Sequence, residues 1–327
     1  MLATGPNGAG KTNLLESLHV GTQGFSPRTR QDANLVRFGA PGFAVRATGH
    51  AQARDLTVEV GFRLGEGKQA KVDGIVADSL ERVRSITATL VFTPDRLAVV
   101  KAGPVVRRAY VDRLVGRLFP ARARLAAEYA AAVDQRNAAL RRARAGFAGT
   151  DTVDPWNHRV VEAGQALSEA RATAIAALAH PFSECAAGLG LDGAAFDYHP
   201  SPITEDALGA RFSVDLERGL TGTGPHHDEI RIMAGTRELR SHGSQGEQRV
   251  AVLALLLAEA DLLAEKNAVP LLLLDDVLSE LDGDRRATLV QRIRSAPQVL
   301  VTTAARGALP GDPDQLLEVS PGRVRVA

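Results

Sequence analysis

Gly5-Pro6-Asn7-Gly8-Ala9-Gly10-Lys11-Thr12 stands near the start of this 327-residue chain, and its reading decides the fold. The octapeptide satisfies the phosphate-loop pattern G-x-x-x-x-G-K-[ST] in full. Its glycines let backbone N–H groups converge on phosphate oxygens. The helix expected next aims its positive end at the same oxygens. Lys11 is long enough to reach β- and γ-phosphates, and the Thr12 hydroxyl suits Mg²⁺. Gly5, Pro6, Asn7, Gly8, Ala9, Gly10, Lys11 and Thr12 are therefore the expected nucleotide contacts, with ATP and Mg²⁺ as cofactors. Asn13-Leu14-Leu15-Glu16-Ser17-Leu18 puts Leu14, Leu15 and Leu18 on one helical face. A phosphate loop should follow a buried strand, yet only four residues precede Gly5. Either that strand is very short or the chain starts late, and N-terminal strands are expected to be missing.

The complementary half of such a site lies 263 residues after Thr12, as 275 − 12. Leu271-Leu272-Leu273-Leu274-Asp275-Asp276 is an apolar strand ending in two carboxylates, the Walker B arrangement. Asp275 is expected to bind Mg²⁺ together with Thr12. Asp276 sits where a second acid can orient or deprotonate an attacking water. Lys11, Asp275 and Asp276 are the catalytic candidates. Gly243-Ser244-Gln245-Gly246-Glu247 opens a strong helix running to Glu265, so a Ser hydroxyl and Gly backbone stand at a helix N-terminus as a second anion site. Ser279-Glu280-Leu281-Asp282 follows closely after the two acids. Gln298-Val299-Leu300-Val301-Thr302-Thr303 ends another core strand in polar residues.

Outside these motifs the chain is an ordinary globular one: 45% hydrophobic, 24% charged, formal net charge +1. Any nucleic-acid contact must come from a local patch. One cysteine, Cys185, builds neither a disulfide nor a Cys-based zinc site, which fits a reducing cytoplasm. No signal peptide and no apolar run of membrane-spanning length is present, so a cytoplasmic protein with no membrane partner is expected. Alternation from Asp55 to Val76 reads as a β hairpin, and Thr87–Phe92 as a buried strand. Helical spacing follows over 105–145, restarted at Pro120, and over 157–179, ended by Pro181. Strands are expected between Ala194 and Ile232. The tail from Leu316 to Val326 reads as a hairpin turning at Pro321-Gly322. The fold class is thus α/β, with lobe segments at 1–100 and 196–327 around a helical lobe at 101–195.

The order of Walker A, Ser-x-Gly-Glu, Walker B, Ser-x-Leu-Asp and a late polar strand resembles the ABC ATPase superfamily. Further stretches resemble the RecF family of DNA replication and repair proteins: Arg28-Thr29, Leu35-Val36-Arg37-Phe38-Gly39, Val91-Phe92-Thr93-Pro94-Asp95, Arg107-Arg108-Ala109-Tyr110-Val111-Asp112, Gln135-Arg136-Asn137 and Gly224-Pro225-His226. The resemblance spans Gly5 to about Val324. It implies an ABC-type P-loop ATPase lobe built from both chain ends, with a mainly helical lobe inserted. It implies an ATP-dependent homodimer in which Ser244 and Gly246 reach the γ-phosphate in trans. It further implies binding to double-stranded DNA near gap junctions, work with RecO and RecR type mediators in loading a recombinase, weak DNA-dependent ATPase activity and a part in the SOS response. Thr302, or Thr303, takes the place of the transporter switch histidine, and 92–95 that of the Q-loop. The family often carries Arg where His227 stands here. The alternative is a non-catalytic DNA- or partner-binding subunit with a defective nucleotide site. A transporter ATPase is disfavoured by the long insertion.

Two groups tempt beyond these motifs. His226-His227-Asp228-Glu229 looks like a metal cluster, but adjacent residues point in different directions, so a polar loop or a contact at the periphery of the nucleotide or DNA site is the better expectation. Arg107, Arg108, Arg113, Arg117, Arg122, Arg124, Arg136, Arg141, Arg142 and Arg144 bias the helical lobe to positive charge, as DNA phosphate contact requires. Solvated helix faces carry arginines too.

Overall fold

The computed structural model describes every residue except Gln52, Ala53, Ser85, Glu280, Arg306 and Ala308; the Glu280 of the Ser-x-Leu-Asp stretch therefore lies outside the described residues. In chain order the elements are β1 (Leu2–Thr4), α1 (Lys11–Gln23), β2 (Gly42–Ala51), β3 (Arg54–Arg63), β4 (Gly67–Val72), β5 (Ile75–Val76), α2 (Leu80–Arg84) and β6 (Thr89–Phe92). Then come α3 (Ala98–Lys101), α4 (Pro104–Leu118), α5 (Leu125–Arg144), α6 (Asp154–Gly188), β7 (Ala194–His199), α7 (Glu205–Arg218), β8 (Glu229–Ala234), β9 (Arg237–Glu238), α8 (Leu239–His242) and α9 (Gln245–Glu265). The chain closes with β10 (Leu271–Asp275), α10 (Gly283–Arg294), β11 (Val299–Thr303), β12 (Leu316–Ser320) and β13 (Arg323–Val326).

The chain folds as two compact units. The first comprises Met1–Arg96, Gly188–Gly190 and Ala260–Ala327. Its main sheet has the order β13-β12-β1-β11-β10-β6, parallel throughout except for the β12–β13 hairpin. The strand before the phosphate loop is therefore present, and the expectation that it is missing is corrected. It is three residues long, all buried. Such a short strand holds because β11 and β12 flank it on both sides, pairing Ala3 with Thr302 and with Leu317, so its backbone groups are satisfied in both directions. Leu15 of α1 is buried in the core with Ala3, Val91, Leu273 and Leu300, and Leu14 and Leu18 pack on its edge, as the helical spacing requires. The expected hairpin is β3–β4 within a four-stranded antiparallel sheet, β2-β3-β4-β5.

The second unit comprises Leu97–Ala187 and Leu191–Glu259. The segment read as 196–327 is thus divided, and its part up to Glu259 groups with the helical lobe. α6 runs 35 residues straight through Pro181 rather than stopping there, because the face carrying Leu178, Phe182, Cys185 and Ala186 stays buried. That burial outweighs the one backbone hydrogen bond proline forfeits. Between β7 and β8 lies a helix, α7, where strands were expected. It is started by the Thr204 side chain accepting from Ala207 N and ended by Gly219 in the left-handed region. Residues 250–258 of α9 are buried all round, the pattern of a central helix. No helix among the described residues is long and apolar enough to cross a membrane.

Candidate functional site

The site begins where β1 ends. Gly5 passes so close to the Val319 carbonyl that a Cβ would collide with it. Gly8 and Gly10 take φ values of 80° and 103°, which L side chains rarely adopt, and the space beside both is open. Ala9 N donates to Pro6 O at 3.1 Å, closing the loop. Lys11 Nζ donates to Gly5 O at 2.8 Å and Pro6 O at 3.1 Å, so the loop's own carbonyls hold the ammonium over it.

Sheet register brings the other half in. β10 and β11 pair Asp275 with Thr302. Thr12 Oγ1 donates to the Asp275 carboxylate, 2.9 Å from Oδ2 and 3.2 Å from Oδ1. Thr302 Oγ1 donates to Asp275 Oδ1 at 2.6 Å and accepts from Asp276 N at 3.1 Å. Asp276 sits at φ 49°, a strained conformation for a non-glycine residue. Asp275 is 6% exposed and Thr302 wholly buried. Thr302 is thus engaged with the two acids from within the sheet. Thr303, also buried, accepts from Ala305 N at 3.3 Å. Thr12 and Asp275 present hard oxygen donors at one point, the set a Mg²⁺ ion takes when it keeps most of its waters.

Ser244 and Gly246 lie at the exposed tip of α9 in the second unit. Ser244 Oγ accepts from Glu247 N at 3.2 Å, and Glu247 Oε2 accepts from Ser244 N at 2.7 Å. The Ser-x-Gly-Glu stretch is therefore a capping box. The Arg237 guanidinium, 2.9 Å from Glu247 Oε1, and the Ser244 N–H hold the Glu247 carboxyl down at about 2.

Sequence reasoning passed over one network in the first unit. Glu16, nearly buried, accepts from Ser26 Oγ at 2.5 Å and from Arg28 at 3.4 Å. Ser26 Oγ in turn accepts from the Arg28 and Thr29 amides. The first turns of α1 are thereby tied to the Arg28-Thr29 segment. Both ends of this link stand in stretches singled out above, but only the fold shows them meeting.

In the second unit several of the tempting residues turn out to be paired. Arg171 grips Asp112 with two bonds, at 2.7 and 2.9 Å, and reaches Asp228 at 2.9 Å and Pro225 O at 2.7 Å. Asp228 also takes Tyr198 OH and Ser201 N. Arg107 donates to Glu229, Ala102 O and Ile230 O. His226 meets Tyr129 OH at 2.6 Å and Thr221 O at 2.9 Å; burial pushes its pKa below the ordinary 6.5. No cluster of metal-ligating side chains exists among the described residues. Arg136 is fully buried against Asp215, Thr221 and Asn157. Arg171 was not singled out in the sequence, because its partners are 57 and 59 positions away.

Residues 1–324 match the family described as the RecF/RecN/SMC N terminal domain. The chain is 38% identical to the DNA replication and repair protein RecF of Myxococcus xanthus, over 99% of this chain and 90% of that one. It is 34% identical to the protein of the same name from Heliobacterium modesticaldum, over 95% and 87%. A solved structure of the recombination mediator protein RecF-ATPrS in the RecFOR pathway superposes with a TM-score of 0.84 at 25% identity, covering 99% of this chain and 91% of that one. An Smc head bound to the C-winged helix domain of ScpA shares the fold alone, with a TM-score of 0.59 at 16% identity, over 100% and 88%. The motifs, the sheet order and these likenesses agree: the chain belongs to the RecF family, within the RecF/RecN/SMC group of ABC-type ATPase folds.

Proposed function

We propose that this protein is an ATP-dependent DNA-binding recombination-repair protein that uses Mg²⁺-ATP as an assembly switch. The observation that carries the reading is the convergence of Thr12, Asp275 and the phosphate loop at the ends of β1 and β10, parallel strands on either side of β11, where open α/β sheets bind ligands. The family's RecF-ATPrS structure supports a nucleotide there.

In this reading Lys11 exchanges its two loop carbonyls for β- and γ-phosphate oxygens. Thr12 and Asp275 hold Mg²⁺, which would supply charge neutralisation of the phosphates. Thr302 orients Asp275, and Asp276 orients the attacking water. The exposed Ser244 and Gly246 tip belongs to the second protomer's contribution: Ser244 accepts within its capping box but keeps a hydroxyl proton to donate. Each chain then holds one part of two shared sites, so γ-phosphate binding favours the dimer and its hydrolysis releases it, through differential affinity. Slow turnover on duplex DNA near gaps, and delivery to RecO and RecR type mediators, complete the proposal.

Titration of Mg²⁺-ATP into wild type and Lys11→Ala tests it. Losing the charge-assisted bonds should weaken binding by about 10- to 100-fold and abolish ATP-induced dimers in light scattering. Asp276→Asn should bind and dimerise but not turn over. Wild type that binds no nucleotide would overturn the proposal in favour of a non-catalytic subunit.

A further inference from the structure

Two groups stand out among the arginines of the second unit once their partners are seen. Arg107, Arg117, Arg122, Arg136 and Arg171 each have a carboxylate within ion-pair distance. Arg141, Arg142 and Arg144, in the last turn of α5, and Arg218, in the last turn of α7, are all exposed. None of these four is within ion-pair distance of a carboxylate among the described residues, and the nearby carboxylate of Asp215 is taken by Arg136 and Arg211.

The two helix ends abut. A Cβ added to Gly219, the residue that ends α7, would come within 2.7 Å of Arg141 Cγ and 3.7 Å of Arg144 Nη1. Arg144 Nη1 donates to Glu217 O at 3.0 Å. Between Arg136 and Phe147 the chain carries no acid. Of the two acids near the end of α7, Asp215 is buried on Arg136, leaving Glu217 alone against four guanidinium groups. Helix dipoles favour a cation or two at a C-terminus. They do not call for four unneutralised ones at two adjoining ends, where mutual repulsion opposes the arrangement.

We infer that this paired helix end is a landing surface for the DNA sugar-phosphate backbone, contacted by Arg141, Arg142, Arg144 and Arg218 without base reading. The inference rests on the proposal that the protein binds duplex DNA. Fork-shaped guanidinium donors match phosphate oxygens bidentately, and the exposed Phe147, whose N–H donates to Arg142 O, is a single ring and not the series of rings that single-strand stacking uses. Arg107, Arg117 and Arg136, each engaged by a carboxylate, are thereby removed from the DNA-contact set, and Arg218 is added to it.

The test is fluorescence anisotropy of a labelled 30-base-pair duplex with Mg²⁺-ATP across a NaCl series. The variant replaces all four arginines by alanine. A charge-matched control replaces Arg46, Arg63, Arg82 and Arg122, whose exposed side chains are ion-paired. Each lost phosphate contact should flatten the plot of log affinity against log salt by about 0.9. The fourfold variant should therefore bind at least about tenfold more weakly and lose about three to four units of slope. The control should keep the wild-type slope, and a fourfold lysine variant should stay within a few-fold of wild type. Unchanged affinity and slope in the alanine variant, or an equal loss in the control, overturns the surface while leaving DNA binding intact. Wild type that binds no duplex at all refutes the parent proposal and the surface with it.

Discussion

Asp275 of the first unit and Asp215 of the second are both buried, at 6% and 1% exposure, yet they are satisfied in opposite ways. Asp275 accepts from two neutral hydroxyls, Thr12 and Thr302, with no Lys or Arg at ion-pair distance among the described residues. Asp215 is clamped by Arg136 at 2.9 Å, with Arg211 and Gly222 N completing its shell. A carboxylate that meets only neutral donors at the ends of parallel strands has no protein cation set against it, which is what the proposed Mg²⁺ site requires. One already neutralised by a guanidinium holds the fold together. The same distinction separates Asp228, gripped by Arg171, from Asp276, whose backbone alone is tied down by Thr302.

Arg136→Ala should break this contrast most forcefully. It strands a buried charge, and unfolding by denaturant should show a loss of about 3–5 kcal/mol; a loss below 1 kcal/mol would mean the clamp is not structural. Thr302→Val keeps the shape but leaves Asp276 N without its hydroxyl partner and Asp275 without one of two donors. About 1–3 kcal/mol should go, together with ATP turnover, while Thr302→Ser should restore both. Turnover unaffected by valine would sink the positioning role. Asp275→Asn should leave stability of the nucleotide-free protein within about 1 kcal/mol of wild type, because no cation is stranded, while Mg²⁺-dependent ATP binding is lost. The smallest effect is a pH slope. His226 is held neutral, with its folded pKa below 6.5. The unfolded chain therefore binds more protons as pH falls, and stability present above about 6.5 should decline as pH drops toward the folded value. His226→Gln should flatten that slope in melts between pH 7 and 5.

Much of the first unit was legible because its signals are local. The phosphate loop, the α1 face and the apolar run into Asp275 each declare themselves within a dozen residues, and the tail hairpin turns at Pro321-Gly322 as read. β1 was not legible: three residues carry no periodicity, and what makes them a strand is pairing with residues about 300 positions later. The resemblance sets Thr302 in the place of the switch histidine, and only the register shows it bonded to Asp275 inside the sheet. In the second unit the arginine bias was visible but its meaning was not. Arg107 and Glu229 are 122 positions apart, and Arg136 and Asp215 are 79 apart, so no window of sequence separates a clamp from a surface charge. Glycine and proline surroundings mask α7 in the sequence, and Pro181 masks the continuation of α6, whose apolar face runs on past it.

The flanking of β1 by β11 and β12 has a consequence for biosynthesis. The phosphate loop leaves the ribosome about 300 residues ahead of β11 and β12, and the strand that anchors it has no partner until Val299–Ser320 have been translated. The second unit can be largely folded by then, since domains form as they emerge. Nucleotide affinity should accordingly be absent from nascent chains arrested before about residue 300, and arise only once β11 and β12 have been translated.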